Sequence, residues 1–441
     1  MVQIEELPSR TIRADFQAGP PPSGVAAVLE PVIQGMLGAE SPVTFEFWDG
    51  SRLGPAGSTA TLRVASPDAI RRLVWSPDQL GLSRAYVAGD IEFDGDVLTI
   101  LGGLRDGAPN TQRGVRLAPA VLAAARRLGV LGPPPTRPAE EARPRGWRHS
   151  RARDARAISH HYDVGNDFYR IVLGPAMTYS CARFVDDTTD LAAAQTAKHE
   201  LICRKLGLHQ RPGARLLDVG CGWGSLALHA AAHHDARVVG VTISAEQVAW
   251  AQARVREAGL EDRVEIRRQD YRALGGESFD AISSVGMFEH VGAAGAARYF
   301  ETLHGLLTPG GRLLNHAISS VGGGRLGRRS FMARYVFPDG ELVDVGEVVL
   351  AMERAGFEVR DVESLREHYA RTLRAWIANL DAQWDQAVAL VGPGRARIWR
   401  LYMAASALGF EDGGLAIHQV LGANPAHHGR SGMPPTRRDW H

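Results

Sequence analysis

Hydrophobic positions change their spacing along this chain. From about residue 215 onward, short apolar runs alternate with longer stretches of helical period. Residues 215–219, 237–241, 264–268, 279–285 and 311–317 predict strands, and 225–233, 245–258 and 296–307 predict the helices between them. Such alternation implies a parallel sheet with right-handed crossovers and helices on both faces. Ligands of these sheets bind outside the carboxyl ends of the strands, so the loops there are where function is expected. Upstream, 43–48 and 61–64 read as strands and 67–75 and 83–88 as short helices, which predicts a small α+β domain without an evident catalytic constellation. Between the two regimes lies LGPPPTRPAEEARPRGWRHSRARDAR. Pro133, Pro134, Pro135 and Pro138 make it stiff and short of backbone donors, as a linker should be.

Composition narrows the picture modestly. The 441 residues exceed what one core usually supports, so two domains are expected. Lys and Arg number 50 against 49 acidic residues, so net charge selects no partner, and nucleic acid is not expected. Cys181, Cys203 and Cys221 make no disulfide framework and have no zinc-ligand spacing, so a reducing compartment and no metal are expected. The opening MVQIEELPSR lacks a signal-peptide pattern, and no apolar run is long enough to span a bilayer. The expected location is the cytoplasm.

The most informative segment is LLDVGCGWG, residues 216–224. An apolar strand runs into Gly220, Gly222 and Gly224 and then into a helix, allowing backbone to approach a ligand closely. A dinucleotide loop is the rival reading. Against it, Asp218 precedes the first glycine, a position suited to a cationic amino-acid moiety, and the third glycine comes too early for GxGxxG. An S-adenosylmethionine site is therefore expected. The second strand ends in Thr242 and Ile243, with Gln247 a helical turn on, where an acidic ribose ligand is common. After the third, Gln269, Asp270 and Tyr271 offer a carboxylate or amide and a ring for adenine. In isolation, Asp270 reads more readily as a loop or capping residue than as a ligand.

Four further segments carry chemistry: ISHHYDVGNDF (158–168), MTYSCA (177–182), SVGMFEHVG (284–292) and NHAI (315–318). With the glycine loop, in this order, they strongly resemble the cyclopropane-fatty-acyl-phospholipid synthases and mycolic acid cyclopropane synthases. The resemblance covers about 155–423, and the N-terminal region resembles, more weakly, the smaller domain of phospholipid-acting members. It implies a class I S-adenosylmethionine methyltransferase, α/β with a mostly parallel sheet, over 155–441, joined through a Pro/Arg-rich linker (131–154) to an α+β accessory domain (1–130). It implies methyl transfer to the cis double bond of an esterified acyl chain, with bound bicarbonate removing a proton from the resulting carbocation. Cys181, Glu289, His316, Ile318 (through its backbone) and Tyr369 are the residues implied to hold that base. Tyr162, Tyr179 and Ser180 are implied at the methionine end of the cofactor. Asp218 joins them, with Gly220, Cys221 and Gly222 against the methionyl and ribose portion, Thr242, Ile243 and Gln247 on the ribose side, and Gln269 to Tyr271 at the adenine. Taken singly, Cys181 reads as a small buried hydrophobe, Glu289 as a helix-start residue and His316 as a satisfied core histidine. The ordered set favours the catalytic reading.

The glycine-rich, basic segment 322–334 and the arginines of 143–156 suggest contact with anionic headgroups, hence peripheral association with the inner face of the membrane; solvated arginines are the alternative. Residues 331–342, 365–376 and the tail GMPPTRRDW look closer to actinobacterial enzymes of the tuberculostearate pathway. That likeness implies a 10-methylene acyl product, consumed by a flavin/NADPH-type reductase, rather than a cyclopropane. The N-terminal domain suggests a homodimer. Two other classes remain as rivals: a non-catalytic lipid-binding scaffold, which should not bind S-adenosylmethionine, and a methyltransferase for a small heteroatom nucleophile, which should not need Glu289.

Overall fold

A computed structural model describes residues 23–37, 42–106, 112–142, 164–323, 327, 329–338 and 340–440. The chain divides into two compact units, Met1–Arg137 and Pro138–His441.

In the first unit, β1 (Thr44–Phe47), β2 (Arg52–Leu53), β3 (Thr61–Val64) and β4 (Ile91–Asp94) form a sheet of order β2-β1-β3-β4. With it go α1 (Gly24–Leu37), α2 (Asp68–Trp75), α3 (Gln79–Ala88), α4 (Val97–Asp106) and α5 (Gln112–Arg127). β1 and β3 bury alternate residues, Phe45 and Phe47 against Leu62 and Val64, which is the period-two signature that made them legible. Helix α3 starts four residues before its expected position because Asp78 caps it, accepting from Gly81 N. The proline-rich stretch is docked here: Arg72 donates to the Thr136 carbonyl at 2.8 Å and Trp75 to that of Gly132 at 3.0 Å.

The second unit is built on a seven-stranded sheet. Its strands are β5 (Arg215–Val219), β6 (Arg237–Thr242), β7 (Val264–Arg268), β8 (Phe279–Val285), β9 (Leu307–Ser320), β10 (Glu358–Ser364) and β11 (Leu415–Ala423), in the order β10-β11-β9-β8-β5-β6-β7. The five strands β9-β8-β5-β6-β7 are parallel, and β11 runs antiparallel between β9 and β10. The helices are α6 (Asn166–Leu173), α7 (Leu191–Leu206), α8 (Ser225–His234), α9 (Ala245–Glu257), α10 (Gly292–Gly305), α11 (Val345–Arg354), α12 (Arg366–Ala382), α13 (Trp384–Val391) and α14 (Pro393–Glu411). Both sheet faces are covered. Leu216, Val238, Ala281 and Leu314 pack toward α7, α8 and α9, while Leu217, Val239, Ile282 and Leu313 pack toward α10 and α11. Each such leucine, isoleucine or valine contributes about 1.5–3 kcal/mol by leaving water, and burial on both faces explains why these strands read as continuous apolar runs. β9 runs longer than the expected 311–317 because it is paired on both sides, with β8 and with β11. Strands and helices beyond residue 340 were not anticipated.

Candidate active site

A cavity of about 450 Å³ opens at the carboxyl ends of β5, β6, β7 and β8. At its floor β5 turns through Gly220, with φ of 75°, a conformation that only glycine adopts at low cost. The backbone N–H groups of Gly220 and Cys221 both donate to the Val241 carbonyl, at 2.9 and 3.1 Å, tying the loop to β6. Gly240 on β6 is favoured for a different reason. A Cβ there would lie 2.8 Å from Ile266 Cδ1 and 3.1 Å from Cys221 Sγ.

Of the expected cofactor residues, Tyr179, Ser180, Asp218, Gly220, Cys221, Gly222, Thr242, Ile243, Gln247, Gln269, Asp270 and Tyr271 all line this one cavity. Tyr162 lies outside the described residues. Thr242 donates to Gln247 Oε1 at 2.8 Å, so the two are one polar unit at the end of β6. Asp270 also caps the turn that follows, accepting from Arg272 N at 2.9 Å and pairing with the Arg272 guanidinium, and Gln269 Nε2 donates to the Ala273 carbonyl at 3.0 Å. Asp218 is buried and accepts from Ser283 Oγ at 2.9 Å. Burial pushes its carboxyl up to about 6, against the opposing pull of the Ser283 hydroxyl and of Lys198.

Lys198 was not anticipated. On α7, 1% exposed, it donates through Nζ to Ser180 Oγ at 2.8 Å. Burial brings its ammonium down to about 8, with Cys181 and Asp218 acting in the other direction. One turn earlier, Gln195 Nε2 donates to the Ser180 carbonyl at 2.9 Å, so α7 holds the segment around 177–182 by two side chains. Gln195, Lys198 and Ile202 recur at helical spacing on a buried face; polar residues within such a stripe were the available signal. An aromatic cluster also escaped the sequence reading. Tyr179 stacks on Trp376 with centroids 5.3 Å apart, lies 5.7 Å from Trp399, and donates to the Tyr402 hydroxyl at 3.1 Å.

The residues expected at the reacting centre do not line this cavity. Glu289 sits in a single helical turn after β8, and its Oε1 accepts from Ile318 N on β9 at 2.7 Å. Burial pushes its carboxyl up to about 7, the Ile318 N–H working against that shift. His316 precedes Ile318 on the same face of β9. Its Nδ1 receives the Gln419 amide at 3.2 Å, which leaves the proton on Nε2. Glu289 Oε2 and His316 Nε2 are both buried without a hydrogen-bond partner among the described residues. Burial also holds the His316 imidazole far below its usual range, hence neutral. Cys181 is fully buried, and its Sγ donates to the carbonyls of Ala182 (3.2 Å) and Leu365 (3.6 Å). Leu365 immediately precedes α12, whose first turn carries Tyr369, packed on Phe410 and Trp376. α12 is held to the Cys181 strip by Ala182 N donating to Thr372 Oγ1 at 3.0 Å. Direct contact thus joins Glu289 with Ile318, and Cys181 with the head of the helix that carries Tyr369. After burial, the Lys198 ammonium is a further influence on His316, adding to the downward shift of its imidazole, and it opposes the upward shift of the Cys181 thiol.

A doubly wound, mostly parallel sheet with this glycine loop and a strand-end cavity defines a class I S-adenosylmethionine-dependent methyltransferase. Residues 149–420 match the family of mycolic acid cyclopropane synthetases, and the chain belongs to that family. It is similar to a probable fatty acid methyltransferase of Mycobacterium tuberculosis, 42% identical over 91% of this chain and 95% of that one. A tuberculostearic acid methyltransferase of the same organism is 34% identical over 95% and 97%. Among solved structures, the mycolic acid cyclopropane synthase CmaA1 in complex with SAH and CTAB is 34% identical and superimposes with a TM-score of 0.57, over 60% of this chain and 97% of that one.

Proposed function

We propose that this chain transfers the methyl of S-adenosylmethionine to the cis double bond of an unsaturated fatty acyl chain of a phospholipid, through a carbocation that bound bicarbonate deprotonates, giving a 10-methylene acyl chain. The observation that carries this reading is that Glu289 Oε2 and His316 Nε2 are each buried with no hydrogen-bond partner among the described residues, an acceptor and a donor left open. Buried polar atoms are rarely left so. The donor set suits a small oxyacid: His316 Nε2 donates, and Glu289 accepts when ionised. Cys181, Tyr369 and the Ile318 backbone complete the proposed set, with Ile318 acting through the carboxyl it anchors. Bicarbonate supplies the base that removes the proton from the cation.

An alkene is a weak nucleophile, so it must be held against the sulfonium methyl with water excluded. Tyr179 lines the cavity and offers a ring face suited to a sulfonium, and Trp376, Trp399 and Tyr402 pack around it and hold that ring in an apolar setting. The cavity-lining groups Asp218, Thr242, Gln247 and Gln269 to Tyr271 are proposed to hold the cofactor. Residues 1–130 are proposed as an accessory domain and dimer contact, and a flavin/NADPH-type reductase as the consumer of the methylene product.

The methylene product is favoured by the likeness of residues 331–342 and 365–376 to tuberculostearate enzymes, and by the related tuberculostearic acid methyltransferase. Ring closure to a cyclopropane is the second reading, favoured by the likeness to CmaA1. The test is incubation with S-adenosylmethionine and oleoyl phospholipid, followed by mass spectrometry and proton NMR. Vinylidene signals support the methylene product, and high-field cyclopropyl protons overturn it in favour of the ring; an unmodified lipid overturns both.

No described helix is long and apolar enough to cross a membrane. Peripheral contact is proposed through the basic segment 322–334, of which Arg325 and Arg328 lie outside the described residues. Vesicle co-sedimentation should rise with anionic lipid and fall when Arg325, Arg328 and Arg329 are replaced. Indifference to both overturns membrane contact.

A further inference from the structure

Behind the cofactor cavity, α7 and α8 pack against each other and bring together four side chains with no part in the proposed reaction. Glu200 and Cys203, one turn apart on α7, meet His229 and His234 of α8. Glu200 Oε2 lies 3.2 Å from His229 Nε2 and 2.8 Å from His234 Nε2. Cys203 Sγ and one ring nitrogen of each histidine lie within 4.8 Å of one another. Cys203 is fully buried, the two histidine side chains are 10% and 6% exposed, and Glu200 is 32% exposed. Arg204 Nε donates to Glu200 Oε1 at 2.6 Å, fixing the carboxylate from behind.

We propose that Glu200, Cys203, His229 and His234 form a zinc site. Two imidazoles, one thiolate and one carboxylate are a donor set that zinc accepts, and four protein ligands close a tetrahedron. Bonds of about 2.0–2.3 Å imply ligand-to-ligand edges of roughly 3.3–3.8 Å in that geometry. The two edges on Glu200 Oε2 are already close to that length. The edges to Cys203 Sγ lie within 4.8 Å, and rotation of its side chain can close what remains. On binding, the Cys203 proton leaves to solvent, and each neutral histidine, whose proton is on Nε2 while it donates to Glu200, exchanges it through solvent to Nδ1 so that the Nε2 lone pair faces the ion.

The alternative is a metal-free network in which one carboxylate accepts from two imidazoles. Two features favour the ion. Cys203 adds a soft donor that such a network does not use. Glu200 and His234 also line a surface cleft of about 480 Å³, shared with His209, His233 and Asp235, which gives an ion a way in. With no open coordination position the role is structural. The ion clasps the end of α8, whose start is the cofactor loop, to the helix that carries Lys198. No linear spacing announces the site, because its donors come from two helices.

The experiment uses untagged, fully reduced, chelator-treated full-length protein titrated with Co²⁺ and then with Zn²⁺. One cobalt per chain is expected, with intense visible bands of tetrahedral type and a near-ultraviolet thiolate-to-cobalt band, all removed by zinc. Zinc should raise the unfolding midpoint. Cys203→Ser should lose the thiolate band, and His234→Gln should weaken cobalt binding at least tenfold while still binding S-adenosylmethionine. Pale octahedral-type spectra, a thiolate band that survives Cys203→Ser, or binding abolished instead by replacing the tail pair His427 and His428 overturns the proposal. Should Cys203→Ser fail to fold, the wild-type spectrum and the His234→Gln titration still decide it.

Discussion

Replacing Glu289 by glutamine removes a charge while keeping the acceptor that Ile318 N uses. The expected consequences separate catalysis from stability. If the carboxylate positions the base that takes a proton from the substrate cation, its loss should cost on the order of 10²–10⁴ in kcat/KM, or about 3–5 kcal/mol. Affinity for S-adenosylmethionine should change little, because Glu289 does not line the cofactor cavity. Stability should move the other way. A carboxyl with a folded pKa near 7, against an ordinary 4.5, is stabilising as the neutral acid below about pH 4.5 and loses that contribution as pH rises through 7. The full difference corresponds to about 3 kcal/mol. Glutamine never ionises, so relative to wild type the variant should gain about that much between pH 4.5 and 8. Any cost from the unpaired amide N–H is the same at both pH values and drops out. Asp218 has the same sign but is present in both proteins. The assays are transfer of labelled methyl into phospholipid, calorimetric cofactor binding, and urea unfolding at the two pH values. A wild-type turnover rate would refute the role of Glu289 and favour a heteroatom methyltransferase. An unchanged stability difference across that pH range would refute the buried, neutral carboxyl.

Three other perturbations follow from the same geometry. Gly240→Ala should destabilise the fold by about 1–3 kcal/mol through the contacts with Ile266 and Cys221; because Cys221 belongs to the glycine loop, cofactor affinity should fall with it, as read by urea unfolding and calorimetry. Lys198→Met removes the Ser180 bond and a costly buried ammonium, so the KM for S-adenosylmethionine should rise about tenfold, a loss of about 1.4 kcal/mol, with little change in the unfolding midpoint. All three cysteines are buried, and burial pushes the thiols up, so iodoacetamide at pH 8 should label none of them until the protein unfolds; rapid labelling of Cys181, located by peptide mass spectrometry, would contradict its burial.

Strands β5, β6 and β8 were legible because they are buried on both faces, and a continuous apolar run bounded by glycine or charge is a local signal; the edge strand β7 was legible instead by alternation, with Val264 and Ile266 buried and Glu265 exposed. Residues 215–219, 264–268 and 279–285 matched to the residue. β11 escaped because LAIHQVLGA carries His418 and Gln419 inside a strand. Gln419 is fully buried, and it is there to hold His316 Nδ1, a partner 103 residues away. Polar residues placed by tertiary partners break the period that reveals an element. The same applies to α7, where Gln195, Lys198 and His199 occupy core positions.

That contrast also explains why one half of the site was easier to assemble than the other. The cofactor cavity is made of loops at the ends of consecutive strands, so its residues keep their order and spacing in the chain, and a motif reports them. The proposed reacting centre joins Cys181, Glu289, His316 and Tyr369, from four segments spread over nearly 190 residues. Only a resemblance could assemble it from the sequence. What the fold adds is the means of assembly. Lys198 and Gln195 fix the segment around Ser180 from α7, Thr372 draws α12 onto Ala182, and Ile318 N fixes Glu289 from β9. Each anchor is a buried or half-buried hydrogen bond whose loss leaves a desolvated group unpaired, at about 1–3 kcal/mol. Thr372→Val should therefore lower turnover without weakening cofactor binding, since it frees α12 and not the strand-end loops. A variant that instead lost S-adenosylmethionine binding and kept its turnover at saturating cofactor would mean that the two halves are not separable in this way.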